Sequence, residues 1–236
     1  MSPSCEDLKE ETRVFDWVKD FDCLLLDFDG LLVNTEKLHY QAYHDMVCSL
    51  GFPFPIDYPT YCEGAHLSTE ALRDLIYSKV PELKEQYPNW MEIRKIKIEL
   101  YLNSLKTNQV KLMPGVKELL QATDHYHIPT CIVTNSPLEQ IKLIQARLPE
   151  LSLVTHVVSR ESYTHSKPHP DGYLTALNTY FPSARKVIGF EDTIKGVQAL
   201  IAANIEAVLI VEKEHPHAQL DLGHRYFPTF FDVSFA

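Results

Sequence analysis

Residues 22–36 read DCLLLDFDGLLVNTE, and this stretch joins a short apolar run to two carboxylates and a glycine. An apolar run of this length, bounded by a turn signal, is typical of a buried strand in a parallel sheet. Asp27 and Asp29 follow its carboxyl end, where open α/β sheets bind ligands, and Gly30 permits the backbone to turn there. Strand-end aspartates also cap turns and helices, so this stretch alone leaves a chemical and a structural role open.

Composition limits the classes of partner and compartment. The chain has 236 residues, 45% of them apolar, and a formal net charge of −10. Such a chain can bury a full core, and its negative charge argues against nucleic acid and anionic membranes as partners. The polar N-terminus is not typical of a signal peptide, and the five cysteines are scattered without a CxxC pair. We expect a reduced, cytoplasmic monomer, and an anionic substrate would need local cations or a metal.

After the first strand, the sequence predicts a block of helices without a strand. Apolar residues at helical spacing run from Thr35 to Gly51, a residue type that commonly ends a helix. A loop rich in proline and aromatic residues, GFPFPIDYPTY, is predicted at 51–61. Prolines separate the further helices of this block, which are predicted over 68–79, 81–87 and 89–106.

From Pro114 onward the pattern alternates between helices and strands. Strands separated by helices of this length indicate right-handed βαβ units and a parallel sheet. Strands are predicted at 128–135, 156–160, 186–190 and 206–211, with helices over 115–124, 138–148, 170–180 and 193–204. The predicted fold class is therefore α/β, a Rossmann-like parallel sheet core (1–33 and 112–236) with an inserted all-helical domain (34–111). The final segment, PTFFDVSFA, is expected either to add one short strand or to cover the core.

Polar side chains follow four of the predicted strands. They are Asp27 and Asp29 after the first, Thr134, Asn135 and Ser136 after the second, Lys167 in SKPHPDGY after the third, and Glu191 and Asp192 in EDTIKG after the fourth. Because the carboxyl ends of parallel strands meet at one edge of a sheet, we expect these side chains to converge in one crevice. Taken singly, the same residues could cap the following helices, and Lys167 could be an ordinary surface lysine.

In their order and spacing, these four motifs resemble those of the haloacid dehalogenase superfamily, in its phosphatase and phosphomutase branch. The resemblance covers the whole α/β domain, and the helical insertion is similar to the family's helical cap of the first type. Within the superfamily, the chain looks most like β-phosphoglucomutase and the sugar-phosphate phosphatases. The resemblance implies a cap that closes over a small phosphorylated metabolite and excludes bulk water.

The resemblance implies that the residues of the first motif carry out the catalytic step. Asp27 would attack phosphorus and form an aspartyl-phosphate, and Asp29 would protonate the leaving oxygen and later deprotonate water. Dehalogenases and phosphonate hydrolases of this fold lack an acid two residues after the nucleophile. An alkoxide leaving group needs a proton donor, so an acid at position 29 points to phosphate esters.

The resemblance also implies a magnesium ion. Mg²⁺ would be held by Asp27, the backbone carbonyl of Asp29 and Asp192, with Glu191 as a further ligand or as an acid behind the ligands. The remaining motif residues would bind and neutralise the phosphoryl group, namely Thr134, Asn135 through its backbone amide, and Lys167.

Three residues of the helical insertion are candidates for substrate contact. His39 matches a histidine at the cap hinge of β-phosphoglucomutase, and Lys97 matches a cap lysine that contacts substrate there. The alternatives are an exposed or half-buried helix histidine and a solvated helix lysine. The cap loop CEGAHLSTEAL departs from the mutase, because Leu67 stands in place of a phosphate-binding arginine. His66 is the candidate for a partial substitute.

These features together predict a magnesium-dependent phosphomonoester hydrolase that works through an aspartyl-phosphate intermediate. Its substrate is expected to be a small phosphorylated metabolite, such as a sugar or polyol phosphate. The first alternative is a phosphomutase of the β-phosphoglucomutase type, which the departure at Leu67 weakens. The second is a catalytically inactive binding protein, against which the intact set of four motifs counts.

Overall fold

The computed structural model describes residues 14–107, 109–213, 222 and 224–235. Its backbone contacts divide the chain into two compact units. One unit contains the residues up to Asn34 together with those from Lys111 onward, and the other is Thr35–Val110. The first is an α/β unit, and the second is helical in its described residues.

The α/β unit is built on a parallel sheet. Its described residues form six strands in the order β3-β2-β1-β4-β5-β6, each parallel to its neighbours. They are β1 (Cys23–Leu26), β2 (Thr130–Val133), β3 (His156–Val158), β4 (Val187–Glu191), β5 (Glu206–Ile210) and β6 (Arg225–Phe227). This sheet confirms the predicted α/β fold class.

Strand β1 occupies the centre of the sheet, and its four residues, CLLL, are all buried. A parallel strand that is covered on both faces requires such a continuous apolar run. Leu24 pairs with Thr130 of β2 on one side and with Ile188 of β4 on the other. The chain first extends the sheet from β1 toward β3 and then continues on the far side at β4. This reversal of strand order opens a crevice at the carboxyl ends of the strands, where the predicted polar residues lie.

The helical unit has a hydrophobic core of its own. Its described helices are α1 (Glu36–Ser49), α2 (Tyr58–Leu67), α3 (Thr69–Lys79), α4 (Pro81–Gln86) and α5 (Trp90–Thr107). Met46 of α1 and Ile76 of α3 are fully buried in this core. Helix α1 ends near Gly51 as predicted, because the φ of +90° at Gly51 is a backbone conformation that favours glycine.

The loop predicted at 51–61 is correct up to residue 57, but its last residues are helical, because helix α2 begins at Tyr58. Asp57 caps this helix, because its Oδ1 accepts a hydrogen bond of 3.0 Å from the amide of Thr60, and Pro59 lies in the first turn. The helix continues to Leu67. Residues 62–67 of CEGAHLSTEAL, which were expected to belong to a cap loop, are therefore helical. The pair of Asp57 and Pro59 is a helix-start signal that the surrounding prolines and aromatic residues obscured.

Four helices of the α/β unit follow in the described chain. They are α6 (Val116–His125), α7 (Leu138–Gln145), α8 (Asp171–Tyr180) and α9 (Ile194–Ala202). Residues of α8 and α9 share one buried cluster with Cys23 and Cys131, where a thiol behaves as a small hydrophobic group. None of the described helices, α1 to α9, combines the length and the apolar content that crossing a bilayer requires.

The C-terminal segment covers the core and adds no strand in its described residues. Strand β6 comes immediately before PTFFDVSFA. Within that segment, Phe230–Asp232 form a 3₁₀ turn. The ring of Phe235 lies 5.1 Å from that of Trp17, measured between centroids. Of the two expectations for this segment, the covering role is the correct one.

Gly189 of β4 marks a tight contact between the sheet and α9. A Cβ atom at this position would lie 2.1 Å from Cδ2 of Leu200. We expect Gly189→Ala to lower the free energy of unfolding by about 1–3 kcal/mol through overpacking. Leu200→Ala alone should leave a cavity and cost about 2–5 kcal/mol.

In the double variant, the added methyl group fills part of that cavity. Urea unfolding should therefore give a combined cost below the sum of the two single costs, by about 0.5–3 kcal/mol. The control combines Gly189→Ala with Leu151→Ala, which changes a fully buried residue elsewhere in the same unit. In that double variant the two costs should add. Additivity between Gly189 and Leu200 would contradict the contact.

Candidate active site

Three strand ends meet at Lys167, which lies in the loop before α8. Its ammonium nitrogen Nζ is 2.5 Å from Oδ1 of Asp27 and 2.6 Å from Oε1 of Glu191. The same nitrogen donates to the backbone carbonyl of Val133, at the end of β2, over 2.6 Å. Lys167 is only 7% exposed, so the alternative of an ordinary surface lysine is wrong. One buried cation thus joins the ends of β1, β2 and β4.

The charges in this group are unequal, because one ammonium faces two carboxylates. Burial raises the pKa of Asp27 to about 7; Lys167 pulls that pKa down, and the nearby Glu191 raises it. Burial alone would lower the pKa of Lys167, but Asp27 and Glu191 outweigh it and hold that pKa well above its ordinary value. Lys167 is therefore a stable cation, whereas an ionised Asp27 is under-compensated.

Glu191 is the most firmly fixed member of the group. It is fully buried, and its Oε1 accepts a hydrogen bond of 2.5 Å from the Tyr173 hydroxyl in addition to the one from Lys167. Its Oε2 accepts from the hydroxyl of Thr193 over 3.3 Å. A side chain at Gly196 would collide with this carboxylate, because a Cβ there would lie 1.9 Å from Cδ of Glu191. Both oxygens of Glu191 are thus engaged by protein donors.

Asp192 completes a set of carboxylates that suits a hard divalent cation. One oxygen each from Asp27, Glu191 and Asp192 can be chosen so that all three lie within 4.8 Å of one another. Oxygen ligands of this kind are the ones that Mg²⁺ takes in proteins. Gly30, at a φ of +84°, brings the loop after β1 against Asp192, since a Cβ at position 30 would lie 2.0 Å from its Oδ2. Glu191 already accepts hydrogen bonds from several donors. It is therefore better suited to support the metal ligands than to bind a metal ion itself.

Asp29 is oriented by side chains that follow β2. Its Oδ2 accepts a hydrogen bond of 2.5 Å from the hydroxyl of Ser136. Gln140, in the first turn of α7, donates from Nε2 to Oδ1 of Asp29 at 2.9 Å and to Oδ2 at 3.0 Å. The carboxylate of Asp29 is therefore held by donors from two residues rather than projecting freely from its loop.

The polar residues after β2 are also tied to the lysine loop. Oγ1 of Thr134 accepts a hydrogen bond of 3.0 Å from the amide of Ser136. Oδ1 of Asn135 accepts from the Tyr163 hydroxyl at 2.7 Å and from the backbone amide of Lys167 at 3.3 Å. The Asn135 side chain thus positions the loop that carries the lysine. The predicted residues of the α/β unit therefore gather at one edge of the sheet.

The three candidates in the helical unit are placed differently from one another. His39 of α1 stacks on Tyr101 of α5 with 3.9 Å between ring centroids, and its Nδ1 lies 2.7 Å from Nζ of Lys97. Lys97 is 7% exposed, so the alternative of a solvated helix lysine is wrong. His66 contacts Glu36 instead. Whether any of the three contacts substrate stays a prediction.

Three further residues of the site were outside the sequence-based predictions. Tyr173 resembles any core aromatic residue of a helix, and Gln140 resembles any polar helix residue. Lys195 belongs to the EDTIKG motif; burial lowers its pKa, while Asp192 raises it, so this second cation lies within electrostatic range of the acids. The one available signal is position, because the first helical turn after a strand-end motif faces the same edge of the sheet.

The comparison of this sequence with known families agrees with this geometry. Residues 24–210 match the family described as haloacid dehalogenase-like hydrolase. The chain belongs to this family. The matched region begins in β1 and ends with β5, so it contains all four strand-end motifs.

Relatives of this haloacid dehalogenase-like chain include proteins named as phosphatases. The phosphorylated carbohydrates phosphatase of Thermotoga maritima is 27% identical over 194 residues, which cover 79% of this chain and 83% of the relative. A protein of Drosophila melanogaster, named probable pseudouridine-5'-phosphatase, is 28% identical over 79% of this chain and 80% of its own length. These names agree with the activity class predicted from the sequence.

A solved structure shows the same fold. CbbY from Rhodobacter sphaeroides, in complex with phosphate, superposes with a TM-score of 0.72 at 19% identity. The superposition covers 90% of this chain and 96% of that one. At this level of identity the likeness concerns the fold.

Neutral substitutions of Asp27 and Glu191 should change the stability of the protein in opposite directions. A pKa raised to about 7 means that folded Asp27 binds its proton more tightly than the unfolded chain does. Stability from this group is therefore present at low pH and is lost as the pH rises through about 7. We expect Asp27→Asn to be more stable than wild type at pH 8, with a difference that grows by about 2–3 kcal/mol between pH 5 and pH 8.

Glu191→Gln is the matched comparison. Its amide group would face the donors of Lys167, Tyr173 and Thr193, so we expect a loss of about 3–5 kcal/mol. Urea unfolding in EDTA over this pH range measures both effects without a bound divalent cation. Destabilisation of Asp27→Asn at pH 8 would show that Asp27, and not Glu191 alone, is needed to balance Lys167.

Proposed function

We propose that this chain is a magnesium-dependent phosphomonoester hydrolase that works through an aspartyl-phosphate on Asp27. The observation that carries the proposal is the Lys167 ammonium held between Asp27 and Glu191. An aspartate that merely capped a turn would not need a buried cation at its carboxylate. A nucleophile that must receive a phosphate dianion does need one, because phosphoryl transfer depends mainly on positioning and charge compensation.

Asp27 is the proposed nucleophile, and Asp29 is the proposed acid and base. An oxygen of Asp27 attacks phosphorus, the bond from phosphorus to the ester oxygen breaks, and Asp29 gives its proton to the departing alkoxide. Asp29, now a carboxylate, takes a proton from the water that attacks the aspartyl-phosphate. Regeneration of Asp27 releases inorganic phosphate. The hydrogen bonds from Ser136 and Gln140 support this role, since they orient Asp29.

The phosphoryl group is proposed to bind Thr134, the backbone amide of Asn135, and Lys167. The contact between Oδ1 of Asn135 and the amide of Lys167 supports this assignment, because it keeps the loop beside β2 and the lysine together. Lys167 would then offset charge on both the phosphate and Asp27.

Mg²⁺ would be held by Asp27, the backbone carbonyl of Asp29 and Asp192, with Glu191 behind them. Clustering of the three carboxylates supports this set. When bound, the ion would supply the positive charge that keeps Asp27 ionised despite its burial and that offsets the charge of the phosphate.

The proposed substrate is a small phosphorylated metabolite, a sugar or polyol phosphate. The relatives named for phosphorylated carbohydrates and for pseudouridine 5'-phosphate support this class. We assign substrate selection to the helical unit, with His39 and Lys97 as a contacting pair and His66 as a further candidate. Leu67, an exposed apolar residue, argues against a phosphomutase, which needs a cation for a second phosphate.

A panel of sugar, polyol and nucleoside phosphates with Mg²⁺ tests the hydrolase. Wild type should release inorganic phosphate, and Asp27→Asn should abolish the release from every substrate. Asp29→Asn should lower the rate on sugar phosphates by about 10²–10⁴-fold. With p-nitrophenyl phosphate, it should still give a burst of about one nitrophenolate per chain, because this leaving group departs without a proton.

Asp20→Asn, at an exposed position, is the matched control and should retain full activity. Equal inactivity of wild type and Asp27→Asn over a wide panel would favour an inactive binding protein. Conversion of β-glucose 1-phosphate to glucose 6-phosphate without net phosphate release, with a trace of bisphosphate present, would instead identify a mutase.

Gln140 provides a test of how Asp29 is positioned. Gln140→Leu removes the hydrogen bonds of 2.9 and 3.0 Å to Asp29 and keeps the one from Ser136. We expect kcat to fall about tenfold with KM nearly unchanged, because the acid is displaced while phosphate binding is not. Gln145→Leu, in the same helix, should leave both constants unchanged. A change confined to KM would place Gln140 in substrate binding instead.

A further inference from the structure

A thiol, an imidazole and a carboxylate meet in the helical unit. Glu36 begins α1, and Cys62 and His66 lie one turn apart on α2, where side chains four residues apart share a face. One ligand atom from each of the three residues can be chosen so that all lie within 4.8 Å of one another. The phosphoryl chemistry proposed above uses neither Glu36 nor Cys62.

Packed helices hold this cluster in place. Nε2 of His66 contacts Oε1 of Glu36, and the hydroxyl of Tyr58 donates to Oε2 of Glu36 over 3.3 Å. His66 is 8% exposed, while Glu36 and Cys62 are half-buried. In metal sites of proteins, a ligand is commonly held in place by a hydrogen bond from another residue, as Glu36 is by Tyr58 here.

We propose that Glu36, Cys62 and His66 form a binding site for a zinc-class divalent cation. Zn²⁺ binds thiolate, imidazole and carboxylate at about 2.0–2.3 Å, usually in a tetrahedron, and three protein ligands leave a fourth position for water. As the metal–sulfur bond forms, the S–H bond of Cys62 breaks and its proton passes to solvent. The contact between His66 and Glu36 opens, and each takes a metal–ligand bond through Nε2 or a carboxylate oxygen.

The donor atoms separate this site from the proposed magnesium site. Mg²⁺ takes oxygen ligands, whereas a thiolate favours softer cations such as Zn²⁺. Within the described chain, His165, His169 and Asp171 form another group of metal-ligating side chains. That group has no sulfur, and its two histidines are 63% and 49% exposed. Co²⁺ bound at that group would have no thiolate ligand, so an absorption from a Co²⁺–thiolate bond would not arise there.

Cobalt(II) is the probe for this site, because a thiolate bound to Co²⁺ gives a charge-transfer absorption in the near ultraviolet. The full chain is stripped of metals, kept reduced in excess Mg²⁺ and titrated with Co²⁺. We expect the absorption to saturate at about one equivalent and Zn²⁺ to displace it. Cys62→Ser should lose the absorption, and His66→Gln should weaken Co²⁺ binding by more than about tenfold.

Two conservative variants complete the test. Cys48→Ser removes an exposed thiol near His44 on α1 and should keep the absorption. Tyr58→Phe removes the donor to Glu36 and should weaken Co²⁺ binding by about 10–100-fold, with an unchanged circular dichroism spectrum. An absorption that is absent from folded wild type, that survives in Cys62→Ser, or that disappears in Cys48→Ser would overturn the proposal. Phosphatase activity is not the readout, so this outcome is independent of the proposed function.

Discussion

The α/β unit depends on the satisfaction of one buried ammonium. Nζ of Lys167 needs acceptors, and it finds them in Asp27 after β1, the carbonyl of Val133 in β2, and Glu191 in β4. Removing the charge of Glu191, the fully buried partner of this ammonium, is expected to cost about 3–5 kcal/mol, because the charge of Lys167 is then left uncompensated. The strand order that places β1 between β2 and β4 is therefore also the order that brings these acceptors to one point.

The same group links stability to chemistry through its surplus negative charge. Glu191 is satisfied by hydrogen-bond donors on both oxygens, so the imbalance falls on Asp27, whose pKa burial raises to about 7. A divalent cation and a phosphate dianion together add no net charge, and the proposed Mg²⁺ would compensate the charge of Asp27 directly. A site arranged in this way gains stability when it binds the two together, which fits the proposed phosphoryl transfer.

Local patterns predicted the α/β unit well, because its strands and turns are each encoded within a few residues. The structure differs from these predictions at one strand and one helix. The strand predicted at 128–135 is shorter, Thr130–Val133, and the side chains of Thr134 and Asn135, just beyond its end, make contacts at the site. Helix α2 escaped prediction because Pro59 and neighbouring aromatic residues are typical of loops, although Asp57 caps a helix there.

Local sequence patterns predict the fold class, the four strand-end motifs and the meeting of these motifs at one edge of a parallel sheet. These follow from period and spacing, which the chain carries locally. The folded chain is needed to show that Gln140 orients Asp29, that Tyr173 anchors Glu191, and that Cys62 and His66 meet Glu36. Each of these contacts joins residues that are separated along the chain, and side-chain chemistry alone does not reveal which distant partner will lie within hydrogen-bond distance.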